Sequence, residues 1–258
     1  MTIPAAAGGG VGGFTPTGGF APTPWSSPPL TAPKRRRRAP WWLALLALVP
    51  LLAGLAVWWS NPGSLHETQL VGVREPGCVR LVIASDVSGS MDALTQPRDA
   101  AVDQLLAWAP QNLRADDELA LISFSSSAAI EIPPTPIGQP VTRGAPTVSG
   151  GTSLAPLLET IAGLPATRCR TALLLLGDGE FSDLPADEAL ANRQLANARV
   201  DTFDFLVPGR IDVPPQWGSL YPSASPEFFD GTNPDQTALV FGRHLAALTN
   251  QQLQRTTA

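Results

Sequence analysis

The chain has 258 residues, of which 44% are hydrophobic, which is enough for one domain of ordinary size with a buried core. Its charges are segregated, because residues 1–59 contain five basic residues and no acid, whereas residues 60–258 contain 12 arginines and 22 acids. The second part therefore has a formal net charge of 12 − 22 = −10. This balance argues against nucleic acid as a partner.

The first 40 residues are predicted to be a disordered cytoplasmic tail. They are rich in Gly, Pro, Ala and Thr, have no helical or strand period, and end in the basic run 34–38. Richness in Ala, Arg and Pro with a single Lys is also typical of a GC-rich bacterial genome.

Residues 41–59 are predicted to form a single transmembrane helix. These nineteen residues carry no charge and have a Trp pair at each end. At about 1.5 Å per residue they span about 28 Å, close to the thickness of a hydrocarbon core. The basic run before them predicts a cytoplasmic amino terminus and an extracytoplasmic domain in the cell membrane. A cleaved signal peptide is disfavoured, because no small-residue cleavage site precedes the bulky Val57-Trp58-Trp59.

After a juxtamembrane linker at 60–77, strands alternate with helices in a domain predicted at 78–250. Strands are predicted at 79–85, 119–124, 128–132, 171–176 and 200–207, and helices at 96–109, 153–163, 185–198 and 236–248. A loop is predicted at 133–149, and the irregular segment 208–234 offers only 227–229 as a strand. The alternation predicts an α/β fold with a doubly wound, mostly parallel, Rossmann-like sheet.

The first strand ends in a cluster of oxygen-bearing side chains. Asp86, Ser88 and Ser90 alternate with Val87 and Gly89, so a carboxylate and two hydroxyls can converge from a tight loop. Hard oxygen ligands of this kind suit Mg²⁺ or Mn²⁺. Taken alone, the same pattern also describes a solvated turn.

Two later stretches supply what this cluster lacks. Thr152 lies in Gly-Gly-Thr-Ser before an apolar helical pattern, and Asp178 follows a second buried strand in Gly-Asp-Gly-Glu. Parallel sheets bind ligands at the carboxyl ends of their strands, where the strand order reverses.

With these residues the chain resembles the von Willebrand factor type A (VWA) family over residues 79–248. The family's metal-ion-dependent adhesion site (MIDAS) is written Asp-x-Ser-x-Ser, then a distant Thr and a distant Asp. The matching residues are Asp86, Ser88, Ser90, Thr152 and Asp178. The sequence departs from the family at position 177, where a Gly stands in place of the usual Thr or Ser, and in the segment after residue 207.

The resemblance implies an adhesive, non-enzymatic function. Ser88, Ser90 and Thr152 would bind Mg²⁺ or Mn²⁺ directly, and Asp86 and Asp178 would act largely through water. One coordination position would be left for an Asp or Glu carboxylate of a protein partner. The resemblance thus implies metal-dependent protein–protein interaction outside the cell membrane.

Two cysteines precede the first and fourth strands of the domain. In the resembled family these strands are neighbours, and adjacent strands lie about 4.8 Å apart, within reach of a disulfide. Export would permit a bond between Cys78 and Cys169. Their spacings to the two acids differ by one residue, so the alternative of two free buried thiols stays open.

Three rival interpretations belong to other functional classes. A serine hydrolase would use Ser153 as nucleophile, with Asp178 or Asp183 and then His244, but no strand leads directly into Gly151. Phosphoryl transfer on Asp86 lacks a second acid two residues on, and no phosphate-binding glycine loop is found. A structural module of an envelope complex, with contacts independent of metal, is the third.

Overall fold

The structure is a computed structural model, and it describes residues 63–145, 148 and 150–256. Its strands, in chain order, are β1 (Thr68–Val71), β2 (Val79–Asp86), β3 (Glu118–Phe124), β4 (Ala128–Pro136), β5 (Arg170–Leu176), β6 (Thr202–Pro208), β7 (Glu227–Phe229) and β8 (Gln252–Arg255). Its α-helices are α1 (Thr95–Asn112), α2 (Leu154–Ala162), α3 (Glu188–Asn197), α4 (Trp217–Leu220) and α5 (Pro234–Leu248).

The central sheet is mostly parallel and is covered on both faces. Within the described residues it has six strands in the order β4-β3-β2-β5-β6-β7, and only the pair β3–β4 is antiparallel. Alternate residues of β2 face opposite sides: Leu81 and Ile83 pack with α1 and α5, whereas Val82 and Ala84 pack with α2 and α3. The predicted α/β, doubly wound architecture is confirmed.

The edge strand β4 is longer than predicted. The prolines of residues 133–149 predict a loop, but pairing with β3 continues to Pro136 opposite Glu118. Three of the last four positions of β4 are prolines, Pro133, Pro134 and Pro136. Proline has no backbone N–H to donate, so it is accommodated on an edge strand, where one side of the backbone needs no partner.

A second, two-stranded sheet joins the two ends of the described chain. β1 pairs antiparallel with β8, with Thr68 opposite Arg255 and Val71 opposite Gln252. The indole N–H of Trp108 in α1 donates to the carbonyl of Thr68 at 2.8 Å, so this sheet is fixed to the helical layer. Neither strand was predicted, and residues 68–71 had been assigned to the linker.

The segment after β6 is short of regular structure but well packed. It contains α4 and the three-residue β7, which pairs parallel with β6. Trp217 is 1% exposed. Its ring stacks on that of Phe181, with 5.7 Å between the ring centroids, and packs at a tilt against Phe205, with 4.2 Å between the centroids. The sheet edge is therefore present in reduced form, as β7, and the predicted strand at 227–229 is confirmed.

Cys78 and Cys169 form the predicted disulfide. The register of β2 and β5 places Val79 opposite Arg170, so the two cysteines precede their strands at the same level. The bond links the amino-terminal ends of β2 and β5, whereas Asp86 lies at the carboxyl end of β2.

The predicted tail at 1–40 and the predicted transmembrane helix at 41–59 lie outside the described residues. Among the residues that the structure describes, no helix is both long enough and apolar enough to cross a membrane.

Candidate metal centre

Two neighbouring parallel strands bring the acidic residues together. β2 ends at Asp86 and β5 ends at Leu176, and Ser85 lies opposite Leu176, so the loops after both strands begin at the same edge. The chain continues from β2 to β3 on one side and from β5 to β6 on the other. The strand order therefore reverses between β2 and β5, where sheets of this kind bind ligands.

The five predicted site residues form one connected cluster. The Ser90 hydroxyl donates to Oδ2 of Asp178 at 2.5 Å, and the hydroxyls of Ser88 and Ser90 are 3.1 Å apart. Thr152 donates to Oδ2 of Asp86 at 3.2 Å, while Oδ1 of Asp86 accepts the backbone N–H of Ser88 at 2.8 Å. Side chains from three separate parts of the sequence thus meet at one edge of the sheet.

The position of Thr152 is set by backbone hydrogen bonds on both sides. The N–H of Ser153 donates to the carbonyl of Ser125 at 2.9 Å, and the N–H of Ser182 donates to the carbonyl of Thr152 at 2.9 Å. Both carboxylate oxygens of Asp183 accept N–H groups from the first turn of α2, those of Leu154 and Ala155, at 2.6 and 2.8 Å. This role of Asp183 has no signal in the sequence; its carboxylate satisfies donors that a helix start leaves open.

Gly177 allows Asp86 to approach the neighbouring strand closely. A Cβ atom at position 177 would lie 3.0 Å from Cβ of Asp86 and 3.3 Å from its Oδ2. The departure from the family pattern therefore coincides with a close packing contact inside the cluster.

The cluster holds two acids with no basic partner. Asp86 and Asp178 are 2% and 3% exposed, and in the described part of the chain neither forms an ion pair with Arg or His. Burial raises the pKa of Asp86, and the charge of Asp178 adds to this, against the hydrogen bonds from Ser88 and Thr152. Buried negative charge without a counter-ion is energetically costly. The cluster therefore lacks a positive charge, which a bound cation can supply.

The donor atoms fit a hard divalent cation. The cluster offers two carboxylates and three hydroxyls, and Mg²⁺ and Mn²⁺ prefer oxygen ligands and usually retain some water. Within the described residues no group of three or more His, Cys, Asp or Glu side chains could hold a metal ion. An ion held here would therefore depend on the hydroxyl groups, as in a MIDAS.

The structure does not assemble the alternative hydrolase triad. Ser153 is paired with the hydroxyl of Ser182 at 2.9 Å, and Asp183 caps α2. His244 lies on α5 with one ring nitrogen 3.0 Å from Glu227 and the other 3.5 Å from Asp204. Both ring nitrogens face other carboxylates, so neither is placed to activate Ser153.

Comparison with solved structures identifies the fold class. Proximal thread matrix protein 1 from the mussel byssus aligns with a TM-score of 0.50 and 15% identity, over 73% of this chain and 50% of that one. A structure of the same protein with a zinc-occupied MIDAS motif aligns with a TM-score of 0.47 and 14% identity, over 66% of this chain and 47% of that one. A von Willebrand factor type A protein from Catenulispora acidiphila aligns with a TM-score of 0.44 and 18% identity, over 69% of this chain and 46% of that one.

The described domain therefore has the fold of von Willebrand factor type A domains, as its motifs predict. The chain spans about half of the length of the solved structures to which it is similar. No protein-family model and no curated protein matches its sequence.

Proposed function

We propose that the chain binds Mg²⁺ or Mn²⁺ at Asp86, Ser88, Ser90, Thr152 and Asp178 and uses it to recognise a protein partner. The partner would present an Asp or Glu carboxylate to the site. The domain would lie outside the cell membrane, held there by the apolar span at 41–59.

One observation carries this proposal. Two buried carboxylates share a cluster with three hydroxyls at the point where strand order reverses, and no basic side chain of the described residues forms an ion pair with them. If the cluster served only as a polar turn, such a pair of acids would destabilise the fold without a compensating gain. A divalent cation provides that compensation.

The hydroxyl and carboxylate groups of the cluster would have different roles in ion binding. The hydroxyls of Ser88, Ser90 and Thr152 would hold the ion, and Asp86 and Asp178 would accept hydrogen bonds from these hydroxyls or from water. When bound, the ion would supply a Lewis-acidic position that attracts an outside carboxylate. Because the hydroxyl ligands are uncharged, the positive charge of the ion would be only partly neutralised by the atoms in direct contact.

The first test measures ion binding by the purified full chain, by calorimetric titration with Mg²⁺, Mn²⁺ and Zn²⁺. We expect Asp86→Ala to weaken binding by at least about 100-fold. Without ion, this variant should unfold close to the wild-type temperature, because burial already disfavours the Asp86 carboxylate.

Asp92→Ala is the matched control for this titration. Asp92 is exposed two residues beyond Ser90, and its side chain makes no hydrogen bond or ion pair within the described residues. It should retain wild-type affinity. Wild-type affinity in Asp86→Ala, or equal losses in both variants, would defeat the assignment of the site.

The second test concerns the partner. The full chain is used as bait in an envelope extract, with and without EDTA, beside the Asp86→Ala variant. A carboxylate-bearing partner should be released by EDTA and should be absent from the variant. A partner that stays bound under both conditions would favour the metal-independent structural module.

A further inference from the structure

A partly buried network of charges lies next to the candidate metal centre, with Arg98 and Glu131 buried and the other two members partly exposed. It consists of Arg98, Asp99, Glu131 and Arg143, which we call the charge quartet. Arg143 donates from Nε to Oε2 of Glu131 at 3.0 Å and from Nη2 to Oδ1 of Asp99 at 2.5 Å. Arg98 donates to the same oxygen of Asp99 at 2.6 Å. The exposed carboxylate of Asp103 lies 3.8 Å from Nη1 of Arg143, so the network including it contains two cations and three anions.

One side of the quartet is attached to the strand that carries Asp86. Arg98 is 4% exposed and donates from Nη1 to the hydroxyl of Ser85 at 3.0 Å, one residue before Asp86. Ser123 lies opposite Ser85 on β3, and its hydroxyl donates to Glu131. The quartet therefore contacts β2 and β3 through Ser85 and Ser123, one residue before Asp86 of the metal centre.

The other side of the quartet holds the segment that leads to Thr152. β4 ends at Pro136, opposite Glu118 at the start of β3, so the chain must return along the whole sheet to reach the site. Among the described residues between Gln139 and Thr152, hydrogen bonds are found for Arg143 and Gly144, while Thr152 itself is held by Asp86 and Ser182. The N–H of Gly144 donates to the carbonyl of Glu131 at 2.7 Å.

We propose that Arg143 is a positioning residue for the metal centre. By pairing with Glu131 and Asp99, it holds the start of the returning segment against β4 and α1, and together with the backbone hydrogen bonds at Thr152 and Ser153 it sets where the Thr152 hydroxyl lies. This inference rests on the proposed function, since it assigns Arg143 a role in ion binding although it does not touch the ion. Its effect passes through Thr152, nine residues further along the chain.

Arg143 also neutralises Glu131, whose side chain is 1% exposed. Its removal will therefore lower stability in any case, because it leaves a buried carboxylate with Arg98 at 3.8 Å as its remaining ionic partner. A loss of stability alone does not test the proposal. The distinguishing quantity is the coupling between Arg143 and Thr152 in ion affinity.

The experiment is a double-mutant cycle on the purified full chain, with Mn²⁺ affinity measured by the paramagnetic resonance of the free ion. Its variants are Arg143→Gln, Thr152→Ala and the combination of the two. Arg193→Gln, an exposed arginine of α3, controls for the loss of one positive charge. Unfolding temperatures without ion are recorded for every variant.

We expect Arg143→Gln to weaken Mn²⁺ binding by about tenfold, the scale usual for residues that orient metal ligands. The double variant should bind no more weakly than Thr152→Ala alone, because Arg143 has nothing left to position. Arg193→Gln should bind as the wild type does. If Arg143→Gln does not fold, Arg143→Lys, which keeps the charge but loses the paired geometry, takes its place in the cycle.

Two results would overturn the inference while leaving the proposed function intact. One is wild-type affinity in the Arg143 variant. The other is a double variant whose loss equals the product of the two single losses, which would mean that Arg143 acts independently of Thr152. If the wild type itself binds no ion, the proposed function fails instead.

Discussion

The close contact at Gly177 leads to a quantitative prediction for Gly177→Ala. The added Cβ would lie 3.0 Å from Cβ of Asp86, whereas carbon atoms in contact normally lie about 3.5–4.0 Å apart. Cβ of Asp86 is fixed to the backbone of the central strand β2, so no rotation of the side chain can relieve the contact. The two strands must move apart by about half an ångström.

Overpacking of this kind typically costs about 1–3 kcal/mol. A loss of about 1.5 kcal/mol would lower the unfolding temperature of a domain of this size by about 3–6 °C. Differential scanning calorimetry of the full chain without divalent ion measures the change directly. Because Asp86 is displaced, the affinity for Mn²⁺ should fall in the same variant.

Gly89→Ala is the control, since it adds the same methyl group inside the same site. Within the part of the chain that the structure describes, no atom beyond the two neighbouring residues lies within 4 Å of a Cβ at position 89. This variant should unfold at the wild-type temperature or slightly above it, because alanine restricts the unfolded chain. Equal unfolding temperatures for wild type and Gly177→Ala, or equal losses in the two variants, would refute the packing argument.

Two further predictions concern stability. Replacing Cys78 and Cys169 by Ser removes a disulfide between residues 91 apart in sequence, which should lower the free energy of unfolding by about 4 kcal/mol. An unchanged midpoint of guanidinium-induced unfolding would contradict this. Burial lowers the pKa of His244, but Asp204 and Glu227 outweigh this effect and the pKa is raised. Protonated His244 therefore stabilises the fold, and its full contribution is present below a pH of about 6.5. This stabilisation is lost as the pH rises through the raised pKa. His244→Gln should reduce the fall in unfolding temperature as the pH rises above about 6.5, and an unaltered slope would argue against this ion pair.

The sequence predicted the central fold well, because its strands are continuous apolar runs. Residues 79–84 and 171–176 are buried on both faces, and such runs are recognisable without knowledge of their partners. β1 and β8 were missed for the opposite reason. Each has only four residues of mixed polarity, and they pair across almost the whole domain.

The site residues could be predicted because their order and local context are specific. What could not be predicted was how they are supported. Neither the cap that Asp183 provides for α2 nor the pairing of Arg143 with Glu131 has a local pattern in the sequence, since each joins residues brought together only by the fold. The prolines of β4 misled the prediction because proline favours loops unless an edge position is available.

Those same prolines restrict how other chains can associate with the domain. An exposed edge strand normally invites another chain to extend the sheet by offering it a row of backbone donors and acceptors. Pro133, Pro134 and Pro136 leave Thr135 as the one backbone donor in the last four positions of β4, and the opposite edge, β7, is only three residues long. The last part of β4 and the short β7 therefore offer few free backbone groups to a foreign peptide strand or to fibril-like growth of the sheet.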